Sequence, residues 1–262
     1  MYNHIRSTWR SSPPALVNEG CSICQGTGWE LMPGTGVSQA RRCTCTALCR
    51  LLELKERVRI PMRFEHCSLD NYCAHTLSQV RALAEARRFA ERYPNCGTGL
   101  FLSGEPGLGK THLAVGIVRE LLDRFQEDVL FLDFTSLVSS KWHGCQPGAR
   151  RDPEVGIYKL VSLLILDDFG SLSPTGESLR VTEDLLEARL NARRTTVYTG
   201  GAVRCRELFR ANPRPGASAT QRFLSALDPP LLMRFLADVK VLPIAGEDFR
   251  RASSIRSALF QG

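Results

Sequence analysis

The sequence predicts an α/β fold in which a parallel five-stranded sheet is flanked by helices. Short, mostly apolar runs that suit buried strands alternate with longer stretches that suit helices. This alternation is typical of a parallel sheet covered on both faces. A glycine-rich segment joins the first strand to the next helix, and a later apolar strand ends in two acidic residues. Both features belong at the carboxyl edge of such a sheet, where α/β proteins bind ligands.

The strands and helices can be placed in order along the chain. The first helix, Leu77–Tyr93, has an apolar stripe with its arginines largely off that stripe. The predicted strands are Leu100–Leu102, Val129–Phe134, Leu163–Leu166, Thr196–Tyr198 and Lys240–Pro243. The other predicted helices are His112–Phe125, one from Ser136, Glu177–Ala192 and Glu247–Phe260, with a loop over 143–153.

Composition is typical of a soluble globular protein with one main domain and an appendage. The 262 residues are 43% hydrophobic and 23% charged. The longest strongly apolar run, Leu160–Leu166, is too short to span a bilayer, and residues 1–14 lack the apolar core of a signal peptide. A cytoplasmic location without membrane contact is therefore expected. The net charge of +7 permits a polyanionic partner without establishing one.

Residues 104–111 match the phosphate-loop pattern G-x-x-x-x-G-K-[ST] at every fixed position. The glycines let the backbone turn and direct successive N–H groups at phosphate oxygens, and the helix that follows adds a partial positive charge. Lys110 is the predicted cation for the β- and γ-phosphates, and Thr111 a predicted Mg²⁺ ligand. A glycine-rich turn with a stray lysine is the alternative. The nucleotide-binding residues predicted here are Gly104, Glu105, Pro106, Gly107, Leu108, Gly109, Lys110, Thr111 and His112.

Two acids, Asp167 and Asp168, end the strand that starts at Leu163. Asp167 is predicted to hold Mg²⁺, through water, and Asp168 to orient or deprotonate the attacking water. A pair of acids in an ordinary turn is the alternative, and the phosphate loop earlier in the chain argues against it.

Clustered cysteines near the amino terminus predict a zinc site. Two pairs, Cys21 with Cys24 and Cys43 with Cys45, offer four thiolates for a tetrahedral Zn²⁺ site, with Cys49 as an alternative ligand. Zinc binding contributes about 10–16 kcal/mol in small fingers, enough to fold a segment so poor in core residues. Free thiols in a loose tail are the alternative.

A basic and aromatic segment lies between the second and third strands. Residues 141–143 (Lys-Trp-His) and the pair Arg150-Arg151 offer a stacking ring and nearby cations, which is what single-stranded DNA binding requires. A solvated loop with a half-buried tryptophan is the alternative.

Several segments together make the chain resemble the DnaC/IstB-type branch of AAA+ ATPases, the helicase loaders and transposition helper ATPases. The resemblance covers residues 59–262 and begins with a lead-in, RIPMRFEHCSLDNY (59–72). The other segments are GEPGLGKTHLA (104–114), LLILDDFG (163–170), EARLNARRTTVYTGG (187–201), DPPLLMRF (228–235) and GEDFR (246–250).

The resemblance implies further site residues. Arg234 matches the arginine finger of box VII, which reaches the nucleotide of a neighbouring subunit, and Arg250 matches the sensor 2 arginine that contacts the γ-phosphate. Lys110, Asp168, Arg234 and Arg250 form the implied catalytic set. The family usually reads Thr-Ser-Asn where this chain has residues 199–201, Thr-Gly-Gly. Gly201 cannot act as the sensor 1 asparagine, Thr199 remains as a partial substitute, and slow hydrolysis is expected. Arg189 also matches a family arginine, with its role left open.

The implied function is an ATPase of DNA replication that loads a replicative helicase onto single-stranded DNA. ATP, Mg²⁺ and Zn²⁺ are the expected cofactors, and a homo-oligomer on ATP and DNA is the expected assembly. An IstB-like helper that recruits a transposase and a slow or non-hydrolysing ATP-binding adaptor stay open as alternatives. The expected parts are a flexible tail (1–18), a zinc module (19–50) that docks on the partner, a linker helix (51–60) and an AAA+ domain without a large lid (61–262).

Overall fold

The computed structural model divides the chain into two compact units, Met1–Arg57 and Val58–Gly262. The linker residues 51–57, the basic and aromatic segment and most of the last predicted helix lie outside the residues that the structure describes. Those described are 21–25, 27, 29–32, 39–43, 58–95, 97, 99–125, 129–139, 153–209, 214–246 and 248–249.

A two-stranded antiparallel ribbon organises the described part of the amino-terminal unit. Its strands are β1 (Trp29–Met32) and β2 (Gln39–Arg42), with Trp29 opposite Arg42. Cys21 and Cys24 precede β1, and Cys43 directly follows β2. Antiparallel pairing therefore returns the third cysteine to the end of the ribbon where the first two lie.

A parallel five-stranded sheet forms the centre of the second unit, as the sequence predicts. The strand order is β4-β5-β6-β3-β7, and each neighbouring pair runs parallel. Every residue of β3 and β6 is buried, which explains their continuous apolar and small-residue composition. The strands are β3 (Gly99–Gly104), β4 (Val129–Asp133), β5 (Leu163–Phe169), β6 (Thr195–Gly200) and β7 (Val239–Ile244).

Helices flank this sheet, and an aromatic cluster fills the space under several of them. Phe223 packs edge-on against Phe134, with ring centroids 5.1 Å apart, and Tyr198 packs against Phe235 at 5.2 Å. Phe169, at the end of β5, contacts all four of these rings. The helices are α1 (Leu77–Arg92), α2 (Lys110–Phe125), α3 (Phe134–Ser139), α4 (Pro153–Leu160), α5 (Gly176–Asn191), α6 (Ala219–Ser225) and α7 (Pro229–Asp238), with 3-10 turns at Met62–Phe64 and Cys205–Glu207.

Helices α4, α6 and α7 have no counterpart among the helices predicted from the periodic pattern. The Asp228 side chain caps α7 by accepting from the Leu231 N–H, and Pro229 and Pro230 occupy its first turn. Proline suits that position because the first N–H groups of a helix have no partner within it. Among the described helices, none combines the length and the apolar composition that crossing a bilayer requires.

Candidate nucleotide-binding site

The phosphate loop lies between β3 and α2. Gly104 ends the strand and Lys110 begins the helix. Gly107 and Gly109 adopt φ values of +82° and +76°, in the left-handed region that glycine enters without strain. The Lys110 ammonium donates to the Glu105 carbonyl oxygen at 2.7 Å, which holds the charge beside the loop. Backbone N–H groups, the start of α2 and this cation together suit a polyphosphate.

Asp167 brings together three segments that are distant in the sequence. Its Oδ1 accepts hydrogen bonds from the Thr111 hydroxyl at 2.8 Å and the Thr199 hydroxyl at 2.6 Å. Burial raises the pKa of Asp167, and the two hydroxyl groups partly offset that rise. A carboxylate and a hydroxyl at this separation are hard oxygen donors, so Thr111 and Asp167 fit Mg²⁺.

The Asp168 side chain is exposed beside the buried Asp167. β5 has a bulge between Leu166 and Phe169, and Asp168 sits in it at φ +56° with its side chain exposed. Its backbone N–H donates to the Thr199 hydroxyl at 2.9 Å. The bulge therefore gives two consecutive acids different environments, so that the buried Asp167 can hold a metal while the exposed Asp168 meets solvent.

Tyr72 and Phe249 hold the phosphate loop from outside, and neither was predicted from the sequence. The Tyr72 hydroxyl donates to the Leu108 carbonyl at 3.0 Å, and the Phe249 N–H donates to the Gly107 carbonyl at 3.0 Å. A side chain on Gly109 would come within 2.6 Å of the Tyr72 ring. Burial raises the pKa of Tyr72 to about 12, which keeps its hydroxyl a donor. Only membership of the lead-in and GEDFR segments pointed toward these residues.

His112 faces the lead-in segment in the structure. Its Nε2 lies 2.9 Å from the Ser68 carbonyl oxygen and 2.7 Å from the Asn71 amide oxygen. Burial lowers the pKa of His112, so its neutral form is favoured at neutral pH. The contacts tie the start of α2 to the residues that support the phosphate loop.

Arg234 lies at the opposite edge of the sheet from the phosphate loop. Its guanidinium donates to the Asn191 amide oxygen at 2.7 Å. It lines a cleft of about 570 Å³ together with Gly97 and Asp238, which precede the amino ends of β3 and β7. The predicted sensor 2 residue, Arg250, lies outside the described residues.

The Arg189 side chain is buried and joins neighbouring helices and strands. It is 1% exposed and donates to the Thr196 hydroxyl and to the Tyr158, Val161 and Thr195 carbonyls, at 2.6–3.0 Å. Burial lowers its pKa to about 10. These contacts join α5 to the end of α4 and the start of β6, away from the carboxyl edge that carries the phosphate loop.

The cysteine cluster fits a zinc ion. The Sγ atoms of Cys21, Cys24 and Cys43 all lie within 4.8 Å of one another, and those of Cys21 and Cys43 are 3.7 Å apart. Thiolates around tetrahedral zinc, at about 2.3 Å from the metal, stand about 3.8 Å apart. The predicted fourth ligand, Cys45, and the alternative, Cys49, lie outside the described residues.

Replacing Asp167 by asparagine should separate stability from nucleotide binding. The folded-state pKa of Asp167 is raised, so its contribution to stability is present at low pH and is lost as the pH rises through that value. At neutral pH, Asp167→Asn removes the cost of burying a charged carboxylate, and the amide oxygen still accepts from both hydroxyl groups. Thermal melting without nucleotide should show equal or greater stability, and Mg²⁺-dependent ATP affinity should fall about 10- to 100-fold. A lower melting temperature with unchanged Mg²⁺-dependent affinity would contradict this assignment.

Comparison with known proteins agrees with this geometry. The family described as "ATPase family associated with various cellular activities (AAA)" matches residues 100–241. The replicative helicase loader DnaC of Escherichia coli K12 is 28% identical over 133 residues, which are 50% of this chain and 54% of the relative. The chain therefore spans about half the length of that curated relative.

Solved structures share the fold. The crystal structure of the DnaC helicase loader superposes with a TM-score of 0.58 at 24% identity, covering 71% of this chain and 100% of the other. The crystal structure of DnaI gives 0.54 at 20% identity, covering 73% and 94%. The AAA match covers more than half of the chain and runs from β3 to β7, through the phosphate loop and the Asp167 cluster. The protein therefore belongs to the ATPase family associated with various cellular activities, with a DnaC-type AAA+ fold.

Proposed function

We propose that the protein is an ATPase of DNA replication that loads a replicative helicase onto single-stranded DNA. The observation that carries the nucleotide chemistry is the contact of Thr111, Asp167 and Thr199 beside the phosphate loop. The helicase assignment is supported by the similarity to DnaC, a replicative helicase loader. The net charge of +7 is compatible with a DNA partner.

Each residue of the site has a task in hydrolysis. Backbone N–H groups of the loop and Lys110 bind the β- and γ-phosphates, and Arg250 contacts the γ-phosphate. Thr111 and Asp167 would hold Mg²⁺, which would supply positive charge to offset that of the phosphates. Asp168 orients a water for in-line attack on the γ-phosphorus and accepts its proton, while the bond to the β–γ bridging oxygen breaks and ADP leaves.

Assembly is part of this proposal because Arg234 is too far from its own phosphate loop. The loop follows the carboxyl end of β3, and Arg234 lies beyond the amino ends of the strands. A six-residue strand such as β3 spans roughly 20 Å. An arginine finger at Arg234 therefore serves the nucleotide of a neighbouring subunit, in a homo-oligomer formed on ATP and DNA.

A non-hydrolysing adaptor is the second candidate, because Gly201 offers no side chain at the sensor 1 position. Phosphate release, measured with and without DNA and partner, separates the two. Stimulated release by the native protein and none by Lys110→Ala supports the ATPase, whereas binding of ATP without any release supports the adaptor.

The partner is tested with the intact chain in native lysate. The loader proposal expects ATP-dependent capture of a replicative helicase and, with purified components, transfer of that helicase to single-stranded DNA circles. Lys110→Ala should fail in the transfer step. Co-purification of a transposase without a helicase would contradict the loader proposal and support an IstB-like helper.

The cysteine cluster should bind one zinc ion per chain. Cys24→Ser and Cys43→Ser each remove one of the grouped thiolates, so both variants should lose the metal. Cys73→Ser is the matched control, since Cys73 is exposed and lies outside the cluster. Elemental analysis of protein purified under reducing conditions measures the zinc content per chain. Absence of zinc from the native protein would overturn the zinc assignment.

A further inference from the structure

The space beside Gly201 is taken by the start of α6. A Cβ atom on Gly201 would lie 3.0 Å from the Thr220 hydroxyl oxygen and 3.0 Å from the Ser218 Cβ. The Ser218 hydroxyl donates to the Ala202 carbonyl at 2.7 Å, which fixes this end of α6 against the residues after β6. A side chain at position 201 therefore requires Ser218 and Thr220, at the start of α6, to shift by a few tenths of an ångström.

The Thr220 hydroxyl bridges the last residue of β5 and the first residue after β6. It accepts from the Gly201 N–H at 2.7 Å and donates to the Phe169 carbonyl at 3.0 Å. One hydroxyl has one proton and two lone pairs, so both bonds can form at once. Thr220 is 2% exposed, which keeps water from replacing it.

Two threonines therefore hold the bulge that carries Asp168. The Thr199 hydroxyl accepts from the Asp168 N–H at 2.9 Å on one side. The Thr220 hydroxyl binds the carbonyl of the next residue, Phe169, on the other side. Asp168 itself has φ +56°, a conformation that a non-glycine residue keeps only where its surroundings impose it.

We propose that Thr220 is a positioning residue for ATP hydrolysis, and that it holds the Asp168 bulge in place of a sensor 1 asparagine. This inference rests on the proposed ATPase function. It assigns the task to a residue of α6, 19 positions after Gly201. The hydroxyl acts through the backbone of Phe169 and Gly201 and does not contact nucleotide.

Variants of Thr220 test this with a split between binding and turnover. Thr220→Val keeps the shape and removes both hydrogen bonds, so kcat should fall about 10- to 100-fold while the Kd for ATP changes less than about twofold. Thr220→Ser keeps the hydroxyl and should restore most of the turnover. Thr182→Val is the matched control, since Thr182 is buried and its hydroxyl bonds a carbonyl within α5. The control should lower the melting temperature slightly and leave kcat unchanged.

Gly201→Asn provides an independent test. The added side chain should displace α6, so turnover should fall instead of rising toward that of a protein with sensor 1. Higher turnover in Gly201→Asn, or unchanged turnover in Thr220→Val, would overturn the role of Thr220 and leave the ATPase proposal standing. Absence of phosphate release from the native protein would overturn the ATPase proposal, and the role of Thr220 with it.

Discussion

Arg234→Ala is expected to lower the ATP turnover of the assembled protein by about 10³-fold while leaving ATP binding by the single chain unchanged. The reason is geometric, because Arg234 lies beyond the amino ends of the strands and the phosphate loop lies beyond their carboxyl ends. The Arg234–Asn191 hydrogen bond keeps the guanidinium at the surface, where a neighbour can meet it. Steady-state phosphate release and nucleotide titration measure the two quantities.

Mixing two inactive variants tests the action between subunits. Arg234→Ala keeps its own phosphate loop, and Lys110→Ala keeps its arginine finger. An equal mixture should recover about a quarter of native turnover, since that fraction of random neighbours pairs an intact loop with an intact finger. Arg180→Ala, which removes another exposed arginine, should behave like the native protein. Failure of the mixture to recover activity would contradict action from a neighbouring subunit.

Lys110→Ala is expected to abolish measurable turnover, with a loss of at least about 100-fold. Lys110 begins α2 and holds its ammonium beside the loop, where it is the cation positioned for the β- and γ-phosphates. The variant should still fold, because Lys110 is half-buried and its ammonium bonds a carbonyl of the loop itself.

The matched control for this variant is Lys240→Ala. Lys240 is exposed on β7 and pairs with Glu85, so its loss removes the same charge away from the loop. Lys240→Ala should retain native turnover. Equal turnover in Lys110→Ala and the native protein would show that the loop has no catalytic task.

The sheet and the phosphate loop could be predicted because both depend on short-range pattern. Four of the five predicted strands lie wholly inside observed strands, and the other, Val129–Phe134, exceeds β4 by one residue, since Phe134 begins α3. The contact between Thr111 and Asp167 could also be expected from the sequence, because the phosphate loop and Asp167 both follow the carboxyl ends of parallel strands, which share one edge of the sheet. Strand periodicity and the geometry of this edge therefore predict the phosphate loop and its contact with Asp167.

Residues joined by long-range contacts could not be predicted in the same way. Pro229 and Pro230 resemble a break between secondary-structure elements in the sequence, yet they form the first turn of α7.

Nothing in the sequence near Thr220 indicates that its hydroxyl will reach Gly201 and Phe169, which lie 19 and 51 positions earlier in the chain. Such contacts depend on how α6 packs, through Phe223, against the aromatic cluster.

Calorimetric titration of the native, full-length protein with ATP, in saturating Mg²⁺ and again with the metal chelated, tests the central claim most directly. The geometry of the loop, Lys110, Thr111 and Asp167 predicts one ATP bound per chain, with affinity that falls sharply when Mg²⁺ is removed. Absence of any binding heat from well-folded protein in saturating Mg²⁺ would contradict the assignment of this edge of the sheet as a nucleotide site.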